Sequence, residues 1–157
     1  MAITFDDTAH SLFLKLAEAA RDLMHELLPR LQSGTFTRTP QTGQSSYYGG
    51  RKPEDGRIDW RQDACAIYNL VRAVAHPYPG AFTFLDGKKL FVWRAIPEEV
   101  AHSAPVGHVI STTPLLVAAG KGALRLISLQ LGDGPALAAE EFARTHQLEG
   151  KQLGGTS

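Results

Sequence analysis

Ala81-Phe82-Thr83-Phe84-Leu85-Asp86-Gly87-Lys88-Lys89-Leu90-Phe91-Val92-Trp93-Arg94-Ala95 contains two β-rich runs, Ala81 to Leu85 and Lys88 to Ala95, hinged on Asp86-Gly87. An Asp-Gly pair tolerates the two positive φ angles of a type I′ turn, whose twist matches that of the strands it joins, so this stretch reads as a β-hairpin. Three further runs follow: Val106 to Thr112, Leu115 to Ala118 and Ala123 to Leu131. Thr113-Pro114 and Gly120-Lys121-Gly122 separate them, and Gly132-Asp133-Gly134 marks another turn. Short strands punctuated by turn residues predict a small antiparallel barrel or sheet. A short helix is expected over Ala138 to His146, and the Gly-rich tail beyond it is expected to be loose. Trp60 and Trp93 are assigned to the core.

Upstream of the hairpin the period changes. Ile67, Leu70, Val71 and Val74 fall on one face of a helix from about Asp63 to Ala75, which His76-Pro77 must stop, because proline excludes the preceding residue from the helical region. Pro77, Pro79 and Gly80 then form a rigid turn into the first strand, with Tyr78 as its anchor. Residues 33–56 break into Gly, Ser, Thr, Pro and Gln, a linker rather than a core element. Before it, Ala9, Leu12, Phe13, Leu16, Ala20, Leu23, Leu27 and Leu31 recur at steps of three and four, the stripe of a long amphipathic helix. Asp6 and Asp7 are expected to cap it, Gly34 to end it and Pro29 to kink its last turn. The fold class is therefore α+β: a long helix, a linker, a helix, a small barrel and a short final helix.

The chain of 157 residues is 43% hydrophobic, enough for one ordinary soluble domain. Its 16 Lys and Arg balance its 16 Asp and Glu, so net charge directs it toward neither nucleic acid nor an anionic membrane. Charge is unevenly placed, however. Residues 47–97 carry 8 basic and 5 acidic side chains, against 4 and 5 before them and 4 and 6 after them. Of the 13 aromatic residues, 9 lie between Tyr47 and Trp93, so rings and positive charge coincide in one segment. Cys65 stands alone, which excludes an internal disulfide and a Cys-cluster metal site; it is read as a small buried hydrophobe, and the cytoplasm is the expected setting. No apolar run has the length of a membrane span, and acidic Asp6 and Asp7 sit where an export signal needs basic residues.

No catalytic constellation stands out. The six histidines lack the spacing that would set two ligands on one metal, and no nucleophile elbow or phosphate-cradling loop is present. Tyr47 to Trp60 is the exception to an otherwise silent chain, with three cations, three aromatics and flexible glycines within one short segment. Two readings stay open for it: a solvated linker whose charges screen one another, or a segment in which Arg51 and Lys52 meet phosphate oxygens beside the ring of Tyr47 or Tyr48. Arg72 is similarly divided between reaching a ligand and pairing with Asp59 or Asp63.

The succession Tyr48-Gly49-Gly50-Arg51-Lys52-Pro53-Glu54-Asp55, Ile58-Asp59-Trp60, Asn69-Leu70-Val71-Arg72-Ala73-Val74 and Pro77-Tyr78-Pro79-Gly80-Ala81-Phe82, with the hairpin ending Val92-Trp93, resembles the C-terminal half of 10-formyltetrahydrofolate-dependent formyltransferases. Val109-Ile110-Ser111, Pro114-Leu115-Leu116-Val117-Ala118 and Gly122-Ala123-Leu124 extend the resemblance over nearly the whole chain. The Asp-Trp, Arg-Ala and Pro-x-Pro-Gly-Ala-Phe elements are shared with methionyl-tRNA formyltransferase. The Gly-Arg-Lys-Pro-Glu-Asp stretch is closer to the UDP-4-amino-4-deoxy-L-arabinose formyltransferase domain of the bifunctional polymyxin-resistance enzymes, which act in lipid A modification.

The resemblance implies an OB-like C-terminal domain at residues 57–157, a linker at 33–56, and at 1–32 the final helix of a catalytic half. It also implies that the chemistry lies elsewhere. The family uses an Asn-x-His pair and a distant Asp on an N-terminal Rossmann-like half that binds 10-formyltetrahydrofolate, whereas the one asparagine here, Asn69, is followed by Leu70 and Val71. This chain is therefore expected to be a substrate-side fragment, inactive alone, with no catalytic, cofactor-binding or metal-binding residue of its own. By resemblance, Arg51 contacts the phosphate or uracil end of a UDP-sugar, with Tyr48 and Lys52 nearby. The alternative is a tRNA-binding module, disfavoured because residues 98–157 are net acidic while phosphate neutralisation dominates nucleic-acid affinity. The stripe of the first helix, left uncovered, is expected to drive homodimer formation.

Overall fold

The computed structural model describes residues 1–155 and divides the chain into two compact units, Met1–Arg51 and Lys52–Ser157. The first unit is built on one helix, α1 (Ala9–Gln32). Its cap lies one residue beyond the expected aspartates. Thr8 is the N-cap: the Ser11 N–H donates to Thr8 Oγ1 at 3.2 Å while the Thr8 N–H donates to Ser11 Oγ at 2.9 Å, a reciprocal capping box. Asp7 supports this cap from outside, accepting from Ser11 Oγ, Lys15 Nζ and the Thr4 N–H, each at 2.7 Å. Gly34 ends the helix as expected. At φ +70° it lets the Thr35 N–H donate back to the Arg30 carbonyl at 3.0 Å, satisfying an orphan carbonyl of the last turn. Pro29 is accommodated within the helix, and none of the residues of α1 is buried.

The second unit holds the core. A 3-10 turn (Pro53–Gly56) leads to α2 (Ala64–Val74), then β1 (Ala81–Leu85), β2 (Lys88–Glu98), β3 (Val109–Thr112), β4 (Leu115–Ala118), β5 (Ala123–Leu131), β6 (Ala136–Ala138) and α3 (Ala139–His146). Asp86 and Gly87 take φ +48° and +76°, the paired positive angles that the hairpin turn requires. The strands form one antiparallel sheet in the order β1-β2-β5-β4-β3, with β6 also paired to β5. One edge of β5 serves β2, and the other is shared between β4 at Ala123 to Arg125 and β6 at Ser128 to Gln130. Register shifts around Arg94, where β2 meets β5, bend this pair. The α+β class and the open antiparallel sheet are as expected; β6, only three residues long, was not anticipated.

Alternation sets the inner face. Leu90, Val92, Leu124, Leu126 and Leu129 from the sheet join Ile67, Val71 and Val74 of α2 and Phe142 of α3 in one buried cluster. Two expectations about burial fail. Cys65 is exposed, because it follows buried Ala64 by one helical step of about 100° and so turns outward from the face that carries Ile67 and Val71. Trp93 is only partly buried, since it lies on the outer face of β2, flanked by His76 and Phe91. Trp60, by contrast, is buried and donates from Nε1 to Thr83 Oγ1 at 3.0 Å.

The tail is not loose over its described residues. Leu148 and Leu153 are buried, the Val109 N–H donates to the Lys151 carbonyl at 2.9 Å, and the Leu153 N–H donates to the Gly107 carbonyl at 2.8 Å. One residue on, the Gly154 N–H donates to the Phe84 carbonyl at 2.9 Å. The segment therefore spans from the β3 side of the sheet to β1 and closes the open barrel. Composition misleads here because the glycines admit a close approach: at φ +90°, Gly154 lies against the Trp60 indole where a Cβ would collide with it.

Candidate functional site

Of the three residues singled out for ligand binding, Tyr48 is 93% exposed, as is its neighbour Tyr47 at 90%, in a segment with neither helix nor strand. Arg51 and Lys52 are also exposed. Lys52 is the better fixed, because its N–H donates to Asp55 Oδ2 at 2.8 Å and its carbonyl accepts from the Asp55 N–H at 3.1 Å, closing the 3-10 turn. That turn is held against the barrel at Gly56, which is buried and has no room for a side chain: an added Cβ would run into the Gly80 carbonyl. Lys52 therefore projects from a braced turn, and Arg57 emerges from its other end.

Arg57 is the residue that the sequence reading passed over. It forms a parallel bridge to Phe82, and the next N–H, of Ile58, donates to the Phe82 carbonyl at 2.8 Å. Its guanidinium lies 5.6 Å from the centre of the Phe84 ring. The signal was present, since Arg57 is the third cation of the Tyr47 to Trp60 segment, but its pairing with β1 is a long-range contact that spacing does not reveal.

A pocket of about 400 Å³ opens beside it, walled by Arg57, Asp59, Trp60 and Arg61 and by Gln152 to Gly154 of the closing segment. Its ionic wall is internally neutralised. Arg61 grips Asp59 through two parallel bonds, Nε to Oδ1 and Nη2 to Oδ2, both at 2.8 Å. The hydrogen bonds from the Arg61 side chain and backbone N–H lower the Asp59 pKa to about 2, and the same pairing raises that of Arg61. An anion entering this pocket would meet Arg57 rather than Arg61.

Asp59 is thus held by Arg61, and Asp63 caps α2 by accepting from the Ala66 N–H at 2.7 Å. Arg72 donates to Asn69 Oδ1 at 2.6 Å and lies over the Tyr68 ring at 4.9 Å. Asn69, the only asparagine, is therefore engaged on the outside of α2 and has no Asn-x-His partner; the residues present do not fit the folate-side donor set. Among the described residues, no three His, Cys, Asp or Glu side chains cluster as a metal site, and no helix is long and apolar enough to cross a membrane.

Comparison with known proteins matches residues 51–147 to the family model described as formyl transferase, C-terminal domain. Among solved structures, a variant of HypX from Aquifex aeolicus superposes with a TM-score of 0.64 at 21% identity, over 92% of this chain and 27% of that one. HypX from the same organism in complex with tetrahydrofolic acid gives a TM-score of 0.58 at 23% identity, over 78% of this chain and 22% of that one. The chain thus spans about a quarter of the length of the HypX chains it matches. At these identities the likeness is one of fold.

Proposed function

Because the chain belongs to the formyl transferase C-terminal domain family, we propose that it forms the substrate-side part of a formyltransferase, working with a Rossmann-like catalytic half that carries 10-formyltetrahydrofolate. The acceptor in this reading is the amine of a UDP-4-amino sugar. The folate supplies the formyl carbon on the other half, and the residues of this chain hold the acceptor. Arg51 offers a planar fork to the diphosphate, Lys52 a point charge from its braced turn, and Tyr48 a ring face for the uracil. Positioning of this kind lowers the barrier without any acid or base in this chain. The observation that carries the reading is the family match, which begins at Arg51 and so includes both cations with the turn that fixes Lys52.

A nucleotide-sized acceptor is favoured over a tRNA because the basic surplus is confined to residues 47–97, while residues 98–157 carry 4 basic and 6 acidic side chains. A tRNA-binding surface draws its affinity from many phosphate contacts and needs cations spread along it. The test is formyl transfer from 10-formyltetrahydrofolate to UDP-4-amino-4-deoxy-L-arabinose by this chain alone and with a separately expressed Rossmann-like half. Transfer only on mixing is the expected result; transfer by the chain alone would overturn the reading. Calorimetric titration with UDP adds a direct binding readout, in which Arg51→Ala is expected to weaken affinity by about tenfold, the order of one charge-assisted hydrogen bond. Unchanged affinity would remove Arg51 from the site.

A further inference from the structure

The outer face of the β1–β2 hairpin carries a continuous strip of rings that the proposed function does not use. Phe91 and Trp93 stack at 5.5 Å between centroids, His76 stacks on Trp93 at 3.7 Å, and Phe82 meets both Phe84 and Phe91 edge-on. Cations lie over this strip. Lys89 Nζ is 3.9 Å from the centre of the Phe82 ring and 4.8 Å from that of Phe91, and the Arg57 guanidinium covers Phe84 at 5.6 Å. Neither Lys89 nor Arg57 has an ion-pair partner among the described residues.

Four aspartates in this part of the chain are engaged away from Lys89 and Arg57. Asp59 is taken by Arg61, Asp86 by Lys151 at 2.9 Å, and Asp63 and Asp55 by backbone N–H groups. The strip therefore combines the partly exposed rings of Phe84, Phe91 and Trp93 with two cations that have no ion-pair partner among the described residues. We infer that this face is a docking surface for an acidic polypeptide segment, whose carboxylates reach Lys89 and Arg57 while its apolar side chains lie along Phe84 and Phe91.

Charge complementarity selects an anion, and ring geometry selects a polypeptide over a nucleic acid. The rings of His76, Trp93 and Phe91 are stacked on one another, which closes the gaps into which bases would insert, and a chain of zero net charge offers a polyphosphate little long-range attraction. Carboxylates on a polypeptide need only a local match.

The test uses fluorescein-labelled poly-L-glutamate and a labelled single-stranded oligo-dT of similar length, titrated with the whole chain and followed by anisotropy. Saturable, salt-sensitive binding of the polyglutamate is expected, weakened by about fivefold in Lys89→Gln, the scale of one exposed ion pair. Amide shift mapping on the unmodified protein, which depends on no variant, is expected to show perturbations at Arg57, Phe82 to Phe84 and Lys89 to Trp93. Absence of saturable binding, perturbations confined to other residues, unchanged affinity in a folded Lys89→Gln protein, or tighter binding of the oligonucleotide would each overturn the inference.

Discussion

The Gly154 N–H donates to the Phe84 carbonyl at 2.9 Å, tying the C-terminal segment to the first strand of the barrel. With Leu153 bonded to Gly107 on the β3 side, this contact makes the segment a strap across the opening of the sheet rather than a trailing end.

The strap should therefore contribute heavily to stability. Leu153→Ala removes a side chain that is 2% exposed, and such core truncations cost about 2–5 kcal/mol. Gly154→Ala should also destabilise, both because φ is +90° and because its Cβ would meet the Trp60 ring. Urea denaturation of each variant gives the comparison; a midpoint unchanged in both would mean that the barrel stands without its strap.

A second expectation concerns the buried bond from Trp60 Nε1 to Thr83 Oγ1, 3.0 Å long. Thr83 is 1% exposed, so Thr83→Val keeps the shape of the side chain but leaves the indole N–H with no acceptor from that residue. An unsatisfied buried donor costs about 1–3 kcal/mol. Adding Trp60→Phe removes the donor and should recover part of that hydrogen-bond penalty, so the double-mutant cycle is expected to show coupling between the two sites. Strict additivity would count against the bond.

How far the sequence carried the structure depended on the range of the interactions involved. The hairpin at Asp86-Gly87, the helix stop before Pro77 and the turn at Gly34 were legible because each is set by the φ and ψ preferences of one or two neighbouring residues. The strap was not, since Leu148 and Leu153 are buried by strands distant in sequence, and the glycines around them resemble disorder until Trp60 is in place beside Gly154. Trp93 departs for a different reason: hydrophobicity alone assigns an indole to the core, whereas strand parity puts it on the outer face beside Phe91. Lys52 stood out as a cation after two glycines, whereas Arg57 needed the pairing with β1 to show that it is held.

Acid should weaken the barrel through Asp59. Its pKa is lowered to about 2 by the hydrogen bonds from Arg61, against 3.8 for an unperturbed aspartate. A carboxylate with a lowered folded-state pKa binds fewer protons folded than unfolded, so its stabilisation is fully present above pH about 4 and fades as pH falls toward 2. The stability advantage of the native chain over Asp59→Asn is therefore expected at neutral pH and should shrink through that window. A carboxyl titration of Asp59 by NMR with a midpoint near the ordinary value would refute the pairing, and 1 M salt should reduce its effect because both partners reach solvent.

The last expectation returns to α1. None of its stripe is buried, and much of it is exposed, with Phe13 at 60%, Leu16 at 56%, Leu23 at 54% and Leu31 at 46% beside half-buried Leu12 and Leu27, an apolar surface of the kind that soluble chains rarely leave uncovered. Phe13, Leu16, Ala20, Leu23 and Leu27 also follow the alternating three- and four-residue steps by which two helices interlock. The chain on its own is accordingly expected to form a dimer whose light-scattering mass falls to that of a monomer on dilution, and Leu16→Glu with Leu23→Glu should abolish association while leaving the barrel's thermal transition in place. A monomer at high protein concentration would show that the stripe does not drive pairing between copies. If a Rossmann-like half is added and the dimer dissociates as a mixed complex forms, the same stripe is the surface that the two partners compete for.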